Sequence, residues 1–159
     1  MIDIVFVIPS NSNVTYQELS KKYSAIETPT WALLLAESCR QKGFKVKILD
    51  TLAENLSDED AIKRIKNDKP RLICFVVYGQ NVNAGTTNMS GATRLSTSIK
   101  NKNLKTLISF VGSHVQALPK KTLNEEKSID FVFLNEGVYS LWNILKLKDI
   151  NLEKIVNIK

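Results

Sequence analysis

The sequence predicts an α/β fold in which an open parallel sheet of five strands carries helices on both faces. Five short apolar segments alternate with segments whose apolar residues recur at helical spacing. The connections between them are long enough for the crossover helices that parallel strands require. The apolar run at residues 72–77 does not alternate with polar residues, which is typical of a strand covered on both faces. The most economical arrangement is the flavodoxin-like or Rossmann-like strand order 2-1-3-4-5.

The predicted strands are short runs rich in Val, Ile, Leu and Phe. The first strand ends at Pro9, because proline has no amide hydrogen with which to continue a ladder. The second ends at Asp50, and an isolated acid at a strand end is more typical of a turn cap than of a ribose ligand. The five strands are predicted at residues 2–8, 44–50, 72–77, 105–111 and 128–134.

Start and stop signals place helices between and after these strands. In the first helix Thr28 is the predicted cap, Pro29 is the first helical residue and Gly43 marks the end. Its apolar composition indicates a buried crossover helix. Ser57 with Asp60 three residues later predicts the start of an amphipathic second helix. Two further helices are predicted at about residues 89–100 and 139–145.

Four loops are expected at the carboxyl edge of the sheet, where ligands of open α/β sheets bind. Small and polar residues are concentrated in them, and Gly and Ser allow close backbone approach and offer hydrogen-bond donors. This distribution favours a broad ligand that touches several loops. The polar residues 11–27 form another long connection, of a length typical of functional or disordered segments. The four loops are residues 9–13, 78–88, 112–114 and 135–137.

The composition indicates a single domain, because 159 residues suffice for one hydrophobic core. The 22 Lys and Arg residues outnumber the 16 Asp and Glu residues, but they are interleaved with them, which favours a solvated surface over a nucleic-acid partner. Cys39 and Cys74 lie in apolar runs and are not spaced as metal ligands, so we expect both to be small buried hydrophobic residues. No apolar segment reaches membrane-spanning length, and we expect a cytoplasmic protein.

Several common active sites do not fit the loops. A dinucleotide site needs a glycine-rich turn after the first strand, and residues 9–11 contain no glycine. Residues 79–86 resemble a phosphate loop but lack the lysine that would neutralise phosphates. Ser113 and His114 are adjacent, so they form a poor catalytic pair, and ligand contact is the better interpretation. Glu136 is placed for ligand contact and also to favour the following helix N-terminus.

A succession of short motifs follows the strand ends and helix starts. The motifs are Pro9, Thr28-Pro29, Gly43 through Asp50, Tyr78-Gly79-Gln80-Asn81, Asn88-Met89-Ser90-Gly91, Val111-Gly112-Ser113-His114 with Pro119, and Ile129-Asp130 through Asn135-Glu136-Gly137. In this order and spacing, over nearly the whole chain, they resemble the N-terminal cobalamin-binding domain of cobalamin-dependent radical S-adenosylmethionine enzymes.

The resemblance implies that a corrinoid lies across the carboxyl edge of the sheet and inserts its nucleotide tail beside the third and fourth strands. Most members of that family have Gly-Gly where this chain has Gly112-Ser113, and the serine takes some of the space for the tail. The residues implied to bind the cofactor are Pro9, Ser10, Asn11, Tyr78, Gly79, Gln80, Asn81, Ser90, Gly112, Ser113, His114, Asn135, Glu136 and Gly137.

The lower face of the cobalt is implied to have no histidine ligand. Cobalamin domains of the methionine-synthase type carry Asp-x-His-x-x-Gly after the first strand, whereas residues 9–27 contain no histidine. The resemblance therefore implies base-off cobalamin, with either residues 9–13 or Tyr16 facing the lower side of the ring.

The resemblance also implies that the chemistry lies in another domain. The Cys-x-x-x-Cys-x-x-Cys motif of a radical S-adenosylmethionine domain is absent, because the last cysteine is Cys74. Residues 1–147 are the implied cobalamin-binding domain, and residues 148–159 resemble a linker towards that domain, which would hold the iron–sulfur cluster and S-adenosylmethionine. We expect the chain alone not to be catalytic and its partner to be such a domain, in cis or in trans.

Two alternatives remain open on the residues. The first is a flavodoxin-like binding or regulatory module that uses the same edge for a flavin or a partner protein. The second is a small nucleotide- or S-adenosylmethionine-dependent transferase that uses Asp50 for a ribose.

Overall fold

The structure, a computed structural model, describes residues 1–10, 27–79 and 82–156. Five parallel strands form one sheet in the order β2-β1-β3-β4-β5, which confirms the predicted fold. The strands are β1 (Ile4–Ile8), β2 (Val46–Asp50), β3 (Leu72–Val76), β4 (Leu107–Val111) and β5 (Phe131–Phe133). The helices are α1 (Thr30–Gln41), α2 (Asp58–Asp68), α3 (Val82–Asn101), α4 (Ser113–Ala117), α5 (Pro119–Glu125), α6 (Val138–Lys146) and α7 (Leu152–Val156).

The sheet separates two hydrophobic clusters, because successive side chains of a strand point to opposite faces. In β1, Ile4 and Phe6 belong to the cluster covered by α1 and α6. Val5 and Val7 belong to the cluster covered by α2 and α3. All four side chains are 1% exposed or less. Helices therefore cover both faces, as predicted, and β1 is buried from both sides. No helix in the described ranges is both long and apolar enough to cross a bilayer.

Helix α1 begins one residue later than predicted and is buried on one face only. Pro29 occupies the N-cap position with a non-helical ψ of 62°, and no side chain caps the helix. The Thr30 amide donates to the backbone carbonyl of Thr28 at 2.8 Å, so the prediction of Thr28 as a side-chain cap was wrong. The outward face carries Leu33 and Leu34, which are 45% and 58% exposed. The prediction of a buried helix therefore holds only for the face towards the sheet.

Two sequence interpretations around α2 are confirmed. The Asp60 amide donates to Ser57 Oγ at 3.1 Å, which caps the helix as predicted. The Asp50 carboxylate accepts from the amides of Leu52 (3.1 Å) and Ala53 (2.9 Å), so this acid is a turn cap at the end of β2. Because the Asp50 carboxylate already accepts from two backbone amides, its role is that of a turn cap rather than of a ribose ligand.

Helix α3 begins at Val82, seven residues before the predicted start, so most of the predicted loop 78–88 is helical. The Gly, Ser, Thr and Asn residues of this segment are weak helix formers, and for this reason the sequence indicated a loop. The buried side chains of Met89, Leu95 and Ile99 dock α3 on the sheet, and such packing provides most of the stability of a helix in a protein. Tertiary burial therefore outweighs local propensity here.

The segment after β4 also folds differently from the prediction. Ser113 and His114, predicted to lie in a loop, are the first residues of α4. Pro119 opens α5 and has the fixed φ that suits a first helical turn. Both helices are too short to show a clear hydrophobic period in the sequence. At the end of the chain, Ile150 and Ile155 pack against the α1 and α6 cluster, so the segment predicted as a linker contacts the domain.

Arg71 ties the amino-terminal side of the sheet to the end of α6. Its guanidinium donates to Asp3 Oδ1 at 2.9 Å and to the carbonyls of Leu145 (3.2 Å), Leu147 and Lys148 (3.3 Å). The side chains of Arg71 and Asp3 are only 19% and 22% exposed. One planar donor group therefore satisfies carbonyls at the end of α6 that have no helical partner.

We expect Arg71→Ala to lower the free energy of unfolding by about 2 kcal/mol, because it leaves a largely buried carboxylate and several carbonyls without their donor. Urea unfolding followed by circular dichroism measures the change. The control is Arg64→Ala, whose ion pair with Glu54 is 48% and 41% exposed and should change stability by less than about 0.5 kcal/mol. Equal effects of the two substitutions would contradict the role given to Arg71.

The pH dependence of stability should report the surroundings of Asp3. Burial alone would raise the pKa of this carboxyl, but the Lys45 amide and the Arg71 guanidinium hold the pKa below its ordinary value of 3.8. The resulting stability is present above that ordinary value and is lost as the pH falls through the lower folded pKa. The stability difference between wild type and Asp3→Asn should therefore shrink between about pH 6 and about pH 2. Urea unfolding midpoints of both proteins across this pH range test the prediction, and a stability difference that stays constant with pH would contradict it.

Candidate functional site

The carboxyl ends of the strands lie side by side at one edge of the sheet, because all pairings are parallel. The segments after β1, β3, β4 and β5 emerge there, as predicted. Helices α1, α3, α4 and α6 begin near the same edge, since each follows one of these strands. The predicted site residues Pro9, Ser10, Tyr78, Gly79 and Gly112 belong to this edge.

Gly112 allows the turn after β4 to pass directly against the end of β3. The Val77 amide donates to the Val111 carbonyl at 2.8 Å, which extends the β3–β4 pairing by one residue. A Cβ atom at Gly112 would lie 2.4 Å from the carbonyl oxygen of Val77, and the φ angle is +157°. Only glycine fits this contact. The close approach places the next residue, Ser113, beside the end of β3.

Ser113 and His114 begin α4 and face different surroundings. The Ser113 hydroxyl oxygen is buried and has no hydrogen-bond partner among the described residues. Because an unpartnered buried hydroxyl is costly, this group is suited to pair with a ligand that enters between β3 and β4. The imidazole of His114 lies with Nδ1 3.2 Å from Thr86 Oγ1, which links α4 to α3.

Tyr78 connects four segments at the edge. Its ring stacks on Trp31 at the start of α1, with 4.5 Å between ring centroids and 22° between planes. Its hydroxyl donates to the Asn135 carbonyl at 3.2 Å, and its own carbonyl accepts from Asn88 Nδ2 at 3.2 Å. Burial raises the pKa of the Tyr78 phenol, and the nearby Glu136 carboxylate raises it further. The phenol is therefore held as a neutral donor.

The turn after β5 uses two residues with positive φ. Asn135 has φ +54° and Gly137 has φ +70°. A Cβ atom at Gly137 would lie 2.9 Å from Cβ of Phe133, so glycine is required at the N-cap of α6. Asn135 and Glu136 are exposed at the edge, where their side chains are free to meet a ligand.

The structure brings the described members of the predicted site to one edge. Ser90 lies in α3, and its hydroxyl donates to the Thr87 carbonyl. It lies two residues after Asn88, which binds the Tyr78 carbonyl at this edge. The remaining predicted residues, Asn11, Gln80 and Asn81, lie outside the described residues.

Sequence reasoning missed Trp31 and Arg94 as residues of this edge. Trp31 was assigned to a buried helix but is 39% exposed and stacks on Tyr78. A large aromatic residue directly after a helix start at the carboxyl edge was the available signal. Arg94 donates to the carbonyl of Ser10 at 3.3 Å and to both carboxylate oxygens of Asp58 at 2.9 and 3.1 Å. No sequence pattern predicted this bridge between α2, α3 and β1.

The two cysteines are not candidates for nucleophilic or metal chemistry. Burial raises the pKa of Cys39 to about 11 and that of Cys74 to about 12. A thiol must lose its proton to attack or to bind a metal, so these residues act as small apolar groups. In the parts of the chain that the structure covers, no three His, Cys, Asp or Glu side chains are grouped to hold a metal ion.

Comparison with known families decides the kind of domain. Residues 19–145 match the B12 binding domain family, which is most of the chain. The chain belongs to the B12-binding domain family. The prediction of a cobalamin-binding domain is therefore confirmed, and cobalamin is the cofactor that the family supports.

Individual relatives are longer proteins. An uncharacterized methyltransferase of Pyrococcus horikoshii is 28% identical over 137 residues, which cover 86% of this chain and 27% of that protein. The radical S-adenosylmethionine methyltransferase TsrM of Kitasatospora setae, solved with tryptophan and a S-adenosylmethionine analogue, superposes with a TM-score of 0.67 at 13% identity. That match covers 91% of this chain and 25% of TsrM.

A second solved structure, the cobalamin-dependent radical enzyme OxsB with aqua-cobalamin and S-adenosylmethionine, superposes with a TM-score of 0.63 at 17% identity. The match covers 96% of this B12-binding domain and 20% of OxsB. At these identities the two superpositions establish the shared fold. The chain spans about a quarter of the length of these relatives.

The edge fits cobalamin on observations of this chain alone. The Ser113 hydroxyl is buried beside the β3–β4 ends without a partner in the described part of the chain, and it is suited to pair with a polar tail. The Trp31–Tyr78 stack provides an apolar surface at the same edge. A ligand with a broad ring and a polar tail meets both requirements, whereas a small polar substrate would leave the aromatic surface unused.

Gly112→Ala should destabilise the domain strongly, because the added Cβ meets the backbone of Val77, which cannot move aside as a side chain can. We expect a loss of about 3 kcal/mol in the free energy of unfolding, measured with urea. Gly43→Ala is the control: it also has a positive φ, +86°, but nothing lies within 4 Å of its added Cβ. It should cost about 1 kcal/mol. If Gly43→Ala were as costly as Gly112→Ala, the steric account would be wrong.

Proposed function

We propose that this B12-binding domain holds base-off cobalamin across the carboxyl edge of the sheet, without a histidine ligand from the protein, as the cofactor module of a methyltransferase-type radical S-adenosylmethionine enzyme. The observation that carries the proposal is the position of the single histidine in the sequence. His114 follows β4 and contacts Thr86, whereas the segment after β1 has no histidine. Bound cobalamin would supply a cobalt centre able to carry a methyl group.

In the proposed complex, the nucleotide tail enters between the ends of β3 and β4. Gly112 lets the backbone pass close to the end of β3, and Ser113 Oγ offers a buried donor that no described residue uses. Tyr78 and Asn135 form one side of the site, since the phenol is bound to the Asn135 carbonyl. The other residues given to the site by resemblance are Pro9, Ser10, Asn11, Gly79, Gln80, Asn81, Ser90, His114, Glu136 and Gly137.

The catalytic partner is proposed to be a radical S-adenosylmethionine domain, joined beyond residues 148–159 or carried on another chain. Two observations support this. The relatives are about three to five times as long as this chain, and two of them are radical enzymes by name. The two thiols are not activated nucleophiles, because burial strongly raises their pKa values. The iron–sulfur cluster and S-adenosylmethionine then belong to the partner.

Titration with hydroxocobalamin tests the proposal directly. The domain should retain one equivalent of corrinoid through gel filtration at micromolar protein, with the absorption spectrum of a base-off form. After reduction, the electron paramagnetic resonance spectrum of the bound cobalt(II) should lack splitting from a nitrogen ligand. Both spectra should be unchanged in His114→Ala, since that imidazole is not placed on the metal.

Three outcomes would count against the proposal. Absence of retained corrinoid would reject it altogether. Nitrogen splitting that disappears in His114→Ala would show that the cobalt has a histidine ligand after all. Thermal denaturation with cobalamin, flavin mononucleotide and S-adenosylmethionine separates the alternatives, because a bound ligand raises the midpoint according to its saturation. A rise with either of the last two compounds alone would favour the flavin module or the small transferase.

A further inference from the structure

The stacked pair Trp31–Tyr78 lies at the switch point of the sheet. In the order β2-β1-β3-β4-β5, the chain leaves β1 towards β2 on one side and continues from β3 to β4 on the other. A crevice opens between neighbouring strands whose connections diverge in this way, and flat ligands of such sheets bind there. Trp31 is in the first turn of the helix after β1, and Tyr78 follows β3 by two residues. The pair therefore bridges the crevice.

The pair is held rigidly from the side of Tyr78. The phenol hydroxyl is bound to the Asn135 carbonyl, the backbone carbonyl is bound to Asn88, and the ring is half-buried. Trp31 rests on this fixed ring and remains 39% exposed. Of the large exposed hydrophobic side chains in the described residues, it is the one whose ring packs on a residue of the predicted site. A fixed, partly exposed aromatic surface is a preorganised contact for a flat apolar face.

We propose that the Trp31–Tyr78 stack is the surface on which the corrin ring rests, with Trp31 as a positioning residue for the macrocycle. This inference rests on the proposed function and adds to it a residue that the sequence had placed in the core. It adds the stacked pair to residues 9–13 and Tyr16, which the resemblance implies as candidates to face the lower side of the ring.

The chemistry of the pair suits a cobalt centre that has no protein ligand. Indole offers no lone pair for coordination, and the phenol hydrogen is committed to the Asn135 carbonyl. Burial and the nearby Glu136 raise the pKa of the Tyr78 phenol, so the phenolate that could bind a metal is disfavoured. The pair therefore offers no group that readily coordinates a metal and would exclude water from the macrocycle without a bond to the cobalt.

Nuclear magnetic resonance of the 159-residue chain provides the first test, because the sequence contains only two tryptophans and therefore two indole N–H signals. Trp142 is the internal reference: it packs against Tyr139 and beneath the Lys42 ammonium. Lys42 lies about 16 Å along α1 from Trp31, so the two indoles are well separated. Diamagnetic hydroxocobalamin should shift the Trp31 signal several times more than the Trp142 signal. The variants Trp31→Phe and Trp142→Phe assign the two signals.

The second test compares affinities. Trp31→Ala should weaken hydroxocobalamin binding by about tenfold or more, because it removes the larger half of the contact surface. The matched control is Leu33→Ala, a residue of similar exposure two positions along the same helix, at 45% against 39%. It should change the dissociation constant by less than about twofold. Thermal unfolding of each variant without ligand corrects for any loss of stability.

The outcomes separate this inference from the proposed function. Both the inference and the proposed function are supported if the wild type retains cobalamin, the Trp31 signal shifts, and Trp31→Ala loses affinity while Leu33→Ala does not. The wild type could instead retain cobalamin while the two indole signals move equally, or while Trp31→Ala binds as tightly as Leu33→Ala. Either result would overturn the inference that the corrin ring rests on the Trp31–Tyr78 stack and would leave the proposed function intact. Wild type that retains no cobalamin overturns both.

Discussion

The structure depends on the parallel pairing of β1 between β2 and β3. Ile4 is opposite Val46 on one side and Leu72 on the other, so the three strands share one direction and one register. Parallel strands need crossover connections, which place helices on both faces and bury Ile4 to Val7 of β1. The same pairing brings the carboxyl ends together and makes the connections diverge between β1 and β3. The site is a consequence of this topology before any side chain is considered.

The sequence predicts the sheet well because strand burial on both faces produces unbroken apolar runs, such as Leu72 to Val76. It predicts α2 because Ser57 and the periodic apolar face agree. It fails at the start of α3, where weak helix formers adopt a helix whose stability comes from Met89 and later residues packed on the sheet. It also fails at α4 and α5, whose five and seven residues are too few to establish a period.

The candidate site divides in the same way. Tyr78, Gly112 and Ser113 could be predicted because each lies within two residues of a strand end, and strand ends are fixed by the topology. The Trp31–Tyr78 stack could not, because it depends on how α1 crosses the sheet, and the two rings are far apart in sequence. The approach of Gly112 to Val77 is likewise a tertiary contact. Local sequence patterns thus identify single residues of the site. The contacts between residues that are distant in sequence, such as Trp31 with Tyr78, arise from packing between elements.

The edge combines two environments that a single ligand must satisfy together. One is an aromatic surface in which the Tyr78 hydroxyl is already bound to the Asn135 carbonyl. The other is the buried Ser113 hydroxyl, which has no partner in the described chain and favours a polar group. A flavin would cover the aromatic pair and a nucleotide would reach the hydroxyl, but a corrinoid has both an extended ring and a tail that carries a phosphate. A ligand bound at both points would have its orientation fixed by packing against the aromatic pair and by pairing with the Ser113 hydroxyl.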